Sequence, residues 1–212
     1  EVFKSGFVTL IGRPSAGKSS LLNALMGKKL AISSPTAQTT RHRFRAVHTT
    51  DSHQIIIVDT PGVHKPHDTL GEELNTTALK SLEGIDVAAF VLDASAPFGT
   101  GDEWVISQLA QCSMPKLLVL SKIDLVTQEE LDLQRQRALE AGQWDGVVAL
   151  SSVTGEQIDT FIELVEQFLP AGPLWFPADM ETDQPIEVII AEFIREKILL
   201  TAHDEVPHAV GV

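Results

Sequence analysis

The chain has little of several things. It holds one cysteine and no tyrosine, and only 6% of its residues are aromatic. One thiol excludes an internal disulfide framework and fits a reducing compartment. Cys112 lies in a helix-like stretch and reads as a buried thiol rather than a nucleophile. No apolar run reaches the length that spans a bilayer, and no secretory h-region opens the chain. Positive charge is scarce: 16 Lys and Arg stand against 29 Asp and Glu, a net charge of −13. A field of that sign opposes general attraction to nucleic acid, so any RNA contact needs a local basic patch or a separate module. The densest basic cluster, Arg41, Arg43 and Arg45, reads as a solvated loop and strand edge. Repeats and low-complexity tracts are missing too. The first residue is Glu1, so some N-terminal sequence is expected to have been lost or trimmed.

What is present is an alternation of short apolar runs and amphipathic stretches over 212 residues. Strands are expected at 7–11, 43–48, 54–58, 87–92, 116–120 and 146–150, mostly Val/Ile/Leu-rich as in strands covered on both faces. Helices are expected at 18–26, 70–83, 102–112, 128–141 and 155–168; in the last, Ile158, Phe161, Ile162, Val165 and Phe168 recur at helical spacing. The pattern predicts an α/β fold with a mostly parallel six-stranded sheet, helices on both faces, and a ligand at the carboxyl edge of the strands. The runs at 43–48 and 54–58 are close enough for a hairpin, which makes one edge strand antiparallel.

From Pro170 the composition changes. Pro170, Pro173, Pro177 and Pro185 punctuate an acidic stretch that reads as a linker over 171–184. A helix is expected over 185–201 and the start of a strand at 208–212. One helix and one strand cannot build a core, so 185–212 reads as the start of a second, incomplete domain after a first domain at 1–170.

The stretch around which the chain is organised is Gly12-Arg13-Pro14-Ser15-Ala16-Gly17-Lys18-Ser19-Ser20, between an apolar strand and a helix start. This is a full P-loop in its strand–loop–helix context. Backbone N–H groups of such a loop, with the positive helix end, hold polyphosphate. Lys18 then reaches the β and γ phosphates, and the Ser19 hydroxyl binds Mg²⁺. Asp59-Thr60-Pro61-Gly62 closes the third strand: a carboxylate there can hold Mg²⁺ through water, and the Gly62 N–H can meet a γ-phosphate. Between them, Ala37-Gln38-Thr39-Thr40-Arg41 offers a threonine, Thr40 in preference to Thr39, that completes a Mg²⁺ shell only with the γ-phosphate in place, which is a switch.

Ser121-Lys122-Ile123-Asp124-Leu125 follows the fifth strand. An Asp carboxylate accepts from guanine N1–H and N2–H₂, which adenine does not offer, and Lys122 can lie along the base plane. Ser151-Ser152-Val153 follows the sixth strand, where the Ser152 N–H could bind guanine O6. Residues for nucleotide are thus Arg13 to Ser20, Asp59, Gly62, Ser121, Lys122, Asp124, Leu125 and Ser151 to Val153. Ser19, Thr40 and Asp59 are expected at the metal, and Lys18, Thr40 and Gly62 in catalysis. The seven histidines show no metal-ligand spacing, and Trp104, Trp144 and Trp175 read as packing anchors.

In these five motifs, in the run Ala37–Arg43 and in Glu192-Phe193-Ile194-Arg195-Glu196-Lys197 with Glu205-Val206-Pro207-His208, the chain resembles the Era-like family of translation-factor-class GTPases. The resemblance implies GTP hydrolysis to GDP and phosphate with Mg²⁺, and K⁺ as an optional further cofactor. It implies a C-terminal KH domain that binds the 3′ end of small-subunit rRNA, and a switch role in ribosomal subunit assembly. The expected setting is a cytoplasmic monomer, with peripheral association at the inner face of the cell membrane. The competing readings are an RNA-binding assembly factor in which nucleotide is only structural, and an ATP-using P-loop enzyme, against which Asp124 argues. Three departures stand out against the family pattern. Ser121 replaces the usual Asn of the base motif. Ser15 replaces the P-loop Asn associated with K⁺. Val63 stands where Ras-like enzymes carry a water-orienting Gln, in agreement with Era-like GTPases.

Overall fold

A computed structural model of the chain describes residues 2–31, 44–59 and 82–201. Its elements are β1 (Lys4–Ile11), α1 (Lys18–Met26), β2 (Phe44–Thr49), β3 (His53–Asp59), β4 (Val87–Asp93), α2 (Thr100–Leu109), β5 (Lys116–Ser121), α3 (Gln128–Ala141), β6 (Gly146–Ala149), α4 (Ile158–Phe168) and α5 (Ile186–Thr201). The strands form one six-stranded sheet in the order β2-β3-β1-β4-β5-β6. All neighbours run parallel except β2 and β3, which make the antiparallel hairpin at one edge. The helix expected at 70–83 and the strand expected at 208–212 lie outside the described residues.

The strand sequences explain the two-sided core. Successive side chains of a strand point to opposite faces, so a continuous apolar run fills both. In β4, Val87, Ala89 and Val91 meet Leu21, Leu22, Phe161 and Val165 of α1 and α4. Ala88, Phe90 and Leu92 meet Val105, Ile106 and Leu131 of α2 and α3. Trp144 stacks on Phe90 with centroids 5.7 Å apart and donates Nε1–H to the Ala138 carbonyl at 2.9 Å. Trp104 is packed against the same core, but Trp175 is 55% exposed and only tilts against Phe7, so it is a partial anchor.

Helix boundaries depart from the periodic pattern where the backbone explains it. α4 begins at Ile158 rather than 155 because Gly155 (φ 80°) and Gln157 (φ 62°) are left-handed. α2 begins at Thr100 because the Asp102 carboxylate accepts the Gly99 N–H at 3.0 Å, capping the first turn. It ends at Leu109, and tight turns carry the chain to Cys112, whose thiol is half-buried beyond the helix, not in it. α3 carries the capping box of Thr127 and Glu130.

The segment expected as a linker lies along the β2–β3–β1 edge of the sheet. Lys4 pairs with Ala171 and Ala46 with Thr182 through isolated bridges. Val47 N–H donates to the Glu181 carbonyl at 2.9 Å. Arg45 is not merely solvated: its Nε donates to Asp183 at 2.7 Å and its guanidinium lies 5.5 Å from the Phe176 ring centre. Arg41 and Arg43 lie outside the described residues. His48 stacks on His53, and its pKa is lowered, first by burial and then by the neighbouring imidazole.

Gln54 is fully buried beside the apolar run Ile55–Val58 of β3 and holds this strap. Its Nε2 donates to Thr49 Oγ1 (3.0 Å) and to the Phe176 carbonyl (2.9 Å); its Oε1 accepts from Trp175 N–H (2.8 Å) and Phe176 N–H (3.0 Å). That is the full capacity of an amide side chain. Gln54→Ala strands three backbone groups of the strap. At about 1–3 kcal/mol for each that stays dry, and with water reaching the exposed end, the expected loss is about 2–4 kcal/mol. Urea unfolding should show it, with a shift in Trp175 fluorescence at lower urea. A loss under about 0.5 kcal/mol with Trp175 unmoved would contradict this role for Gln54.

Candidate nucleotide site

The carboxyl ends of β1, β3, β5 and β6 converge on one edge, and the loop between β1 and α1 sits there. Three positions of that loop have a constrained backbone. A Cβ on Gly12 would stand 2.5 Å from the Val91 carbonyl, so only glycine lets the loop leave the sheet this closely. Gly17 has φ 103° and forms the N-cap of α1. Ser15 is also left-handed, at φ 64°, a conformation costly for a residue with a Cβ.

Four carbonyls of the loop are claimed by donors from outside its turn. Lys18 is buried, and its Nζ donates to Gly12 O (3.3 Å) and Arg13 O (3.0 Å). Arg13 O also accepts Ala16 N–H at 3.2 Å. Lys122 Nζ donates to Ser15 O at 2.9 Å and pairs with Asp93 at 2.6 Å. Ser121 Oγ lies 2.6 Å from Ala16 O and 3.2 Å from Leu92 O, so its single proton serves the closer carbonyl. The serine at the usual asparagine position thus keeps a tie to the phosphate loop. Lys122 directs its ammonium to that loop and to Asp93.

Asp124 and Leu125 lie in a short 3₁₀ turn after β5. Asp124 is exposed and fixed on one side only: Oδ1 accepts Ser151 Oγ–H at 2.7 Å. Ser151 is fully buried, and its Oγ in turn accepts Thr154 N–H at 3.1 Å. The Leu150 N–H donates to Leu120 O, and Ile123 N–H to Leu150 O, which holds the two loops side by side. Ser152 is half-buried and Val153 is 84% exposed at the rim. The arrangement can therefore present a carboxylate edge to a flat ring carrying two adjacent N–H groups.

For a cation, Ser19 stands in the first turn of α1 and is buried, and Asp59 ends β3 in register with Leu10. Among the described residues no group of three or more His, Cys, Asp or Glu side chains could hold a metal by itself. A hydroxyl and a carboxylate position without a full protein cage fit Mg²⁺, which binds through few protein oxygens and the substrate's phosphates. Thr39, Thr40, Thr60, Pro61, Gly62 and Val63 lie outside the described residues, as do His42, His64, His67, His203 and His208.

Two residues of the site escaped the sequence motifs. Asp93 ends β4 and holds Lys122, and Asp102 of α2 holds Arg13 Nη1 at 2.9 Å. A capping signal after Gly99 marks Asp102 as a helix start, but nothing in the sequence ties it to the loop.

The family described as a 50S ribosome-binding GTPase matches residues 7–122. Curated relatives named GTPase Era are 41% identical in Alkaliphilus metalliredigens and 44% identical in Nostoc sp., each over 99% of this chain and over 71% and 65% of their own lengths. Among solved structures, Era in complex with MgGDPNP and a 16S ribosomal RNA fragment superposes with TM-score 0.89 at 35% identity, covering 97% of this chain and 70% of that one. A variant of Aquifex aeolicus Era bound to GDP and aluminium fluoride gives 0.86 at 34% identity, with the same coverage.

Proposed function

This chain belongs to the Era family of GTPases, and from that premise we propose that it binds GTP at the loop over residues 12–20 and hydrolyses it to GDP and phosphate as a switch in small-subunit assembly. The observation that carries the reading is the pair of ties from the base motif to the phosphate loop, Ser121 to Ala16 O and Lys122 to Ser15 O. They set the base-reading Asp124 and the phosphate cradle at one fixed spacing, as a nucleotide requires.

In this reading Lys18 exchanges a loop carbonyl for β- and γ-phosphate oxygens. The loop's N–H groups and the start of α1 take up the remaining phosphate charge. Ser19, Asp59 and Thr40 would hold Mg²⁺, which supplies charge neutralisation on the phosphate oxygens. Gly62 would donate its N–H to the γ-phosphate. Asp124 accepts the guanine N–H pair, with Leu125 and Val153 beside the base and Ser152 N–H toward O6. Catalysis is then positioning and charge neutralisation rather than covalent chemistry.

The relative seen with a 16S rRNA fragment supports rRNA of the small subunit as the partner. With a net charge of −13, that contact belongs to a C-terminal KH-type domain, begun at 185–212 after a nucleotide domain at 1–170 and a connecting segment at 171–184. The reading includes a cytoplasmic monomer that meets the inner membrane face peripherally; among the described residues no helix is long and apolar enough to cross a membrane. A dimer in gel filtration, or no partition onto anionic vesicles, would remove those two elements.

The base assignment is tested by Asp124→Asn. Xanthine has a carbonyl where guanine has its 2-amino group, so the amide should turn preference from GTP to XTP. Two mismatched groups at about 1–3 kcal/mol each give a shift of about 2–6 kcal/mol. A competition titration in which the variant still prefers GTP would remove Asp124 from the base site.

Ser15 bears on the potassium expectation. Its hydroxyl is shorter than the amide that holds K⁺ in Era-like relatives, so hydrolysis by this chain is expected to be slow and to differ little between KCl and NaCl. An added cation at the transition state is worth roughly 10³–10⁵ in rate where an arginine finger supplies it. Ser15→Asn should raise the rate in KCl only, and asparagine also tolerates the left-handed backbone found there. Single-turnover hydrolysis in matched salts checks this: strong potassium activation of the parent, with no gain in the variant, contradicts it.

A further inference from the structure

Arg13 lies inside the phosphate loop, yet its side chain runs to α2. Its Nη1 donates to Asp102 Oδ2 at 2.9 Å, and its aliphatic stem passes over Gly101, where a Cβ would stand 3.4 Å from Arg13 Cδ. The two partners differ in exposure: the arginine side chain is 43% exposed and the Asp102 side chain only 4%. An exposed ion pair is weak, but a buried carboxylate deprived of its cation is costly, so the pair is held from the Asp102 side. Asp102 is itself fixed, because the same oxygen accepts the Gly99 N–H that caps α2. Beside the pair is a cavity of about 220 Å³ lined by loop residues 13–16, the end of β4 and Pro97, so this flank of the loop is not supported by packing alone.

The backbone of the same residue faces the chemistry. Arg13 O accepts Lys18 Nζ at 3.0 Å and Ala16 N–H at 3.2 Å. We propose that the Arg13–Asp102 pair is a positioning unit: Asp102, on a helix outside all five motifs, fixes the Arg13 peptide and through it the Lys18 ammonium and the phosphate cradle. The inference rests on the reading that this loop binds polyphosphate. The pair acts at the start of the loop and so on the β and γ phosphates, while the base motif meets the loop at Ser15 O and Ala16 O and is held on its own side by Asp93 and Ser151. Loss of the pair therefore weakens recognition of the terminal phosphates and leaves recognition of the base and α-phosphate nearly intact.

The experiment measures affinities of the full chain for GMP, GDP and GTP with Mg²⁺, for the parent, Arg13→Met, Asp102→Asn and the double variant. Arg13→Met should weaken GDP and GTP binding by roughly ten-fold or more, the scale of a lost charged hydrogen bond, and leave GMP within about two-fold. The double variant should be no worse than the worse single one, as for partners that act only through each other. Arg13→Lys, which keeps the charge, should recover part of the loss. GDP and GTP affinities within about two-fold of the parent, a GMP loss equal to the GDP loss, or single-variant effects that multiply in the double variant would each overturn the proposal. Arg13→Met alone suffices if Asp102→Asn does not fold. A parent that binds GMP as tightly as GDP would instead overturn the polyphosphate reading beneath it.

Discussion

The phosphate loop depends on where its carbonyl groups go. A loop that offers N–H groups to an anion must find partners for its C=O groups elsewhere, since unpaired polar backbone away from water is costly. Here Lys18 takes Gly12 O and Arg13 O, Lys122 takes Ser15 O, and Ser121 takes Ala16 O. Donors from α1 and from the end of β5 thus hold the loop at both its start and its middle. Two of them belong to the motif proposed to read the base, so that motif and the phosphate loop share one framework. This is why a serine can stand at the asparagine position of that motif and the loop is still held: the hydroxyl needs to reach only one carbonyl.

Polar ties also organise the other edge of the sheet. The hairpin of β2 and β3 leaves an open strand edge, and edges invite unwanted pairing. Residues of 171–184 cover part of it, held by Gln54, by the Arg45–Asp183 pair and by the bridge of Ala46 to Thr182. β3 ends in Asp59, and the strap therefore rests on the strands that lead to the site. Lys28 reaches Glu181 of this strap and Lys29 reaches the buried Glu196 of α5. The turn after α1 is thereby tied both to the strap and to the helix beyond it.

The sheet was legible in the sequence because its strands are apolar on both faces, and a run such as Val87-Ala88-Ala89-Phe90-Val91-Leu92 admits few other readings. The antiparallel hairpin is implied by the short spacing of two such runs. The loop and the base motif were legible because their residue types carry a mechanism at fixed spacing. The long-range polar ties leave no such trace. Gln54 opens an expected strand with no signal for its partners, and only tertiary contact with Trp175 and Phe176 explains its burial. Asp102 reads as a helix cap, and its bond to Arg13, 89 residues away, has no local signal. α4 starts three residues later than its helical spacing suggests, because Gly155 and Gln157 have left-handed backbone. Cys112 falls outside α2 for a different reason: apolar periodicity outlasts the hydrogen bonding of that helix.

We propose one framework of loop ties and base ties that serves hydrolysis of a guanine nucleotide. Its most direct test is single-turnover release of labelled γ-phosphate from GTP and from ATP, with Mg²⁺, by the parent chain and by Lys18→Ala. Release should be slow from GTP and small from ATP, and GTP turnover should be lost in a variant that keeps the parent's far-UV spectrum. Equal turnover of ATP, or unchanged GTP turnover in the folded variant, would contradict it.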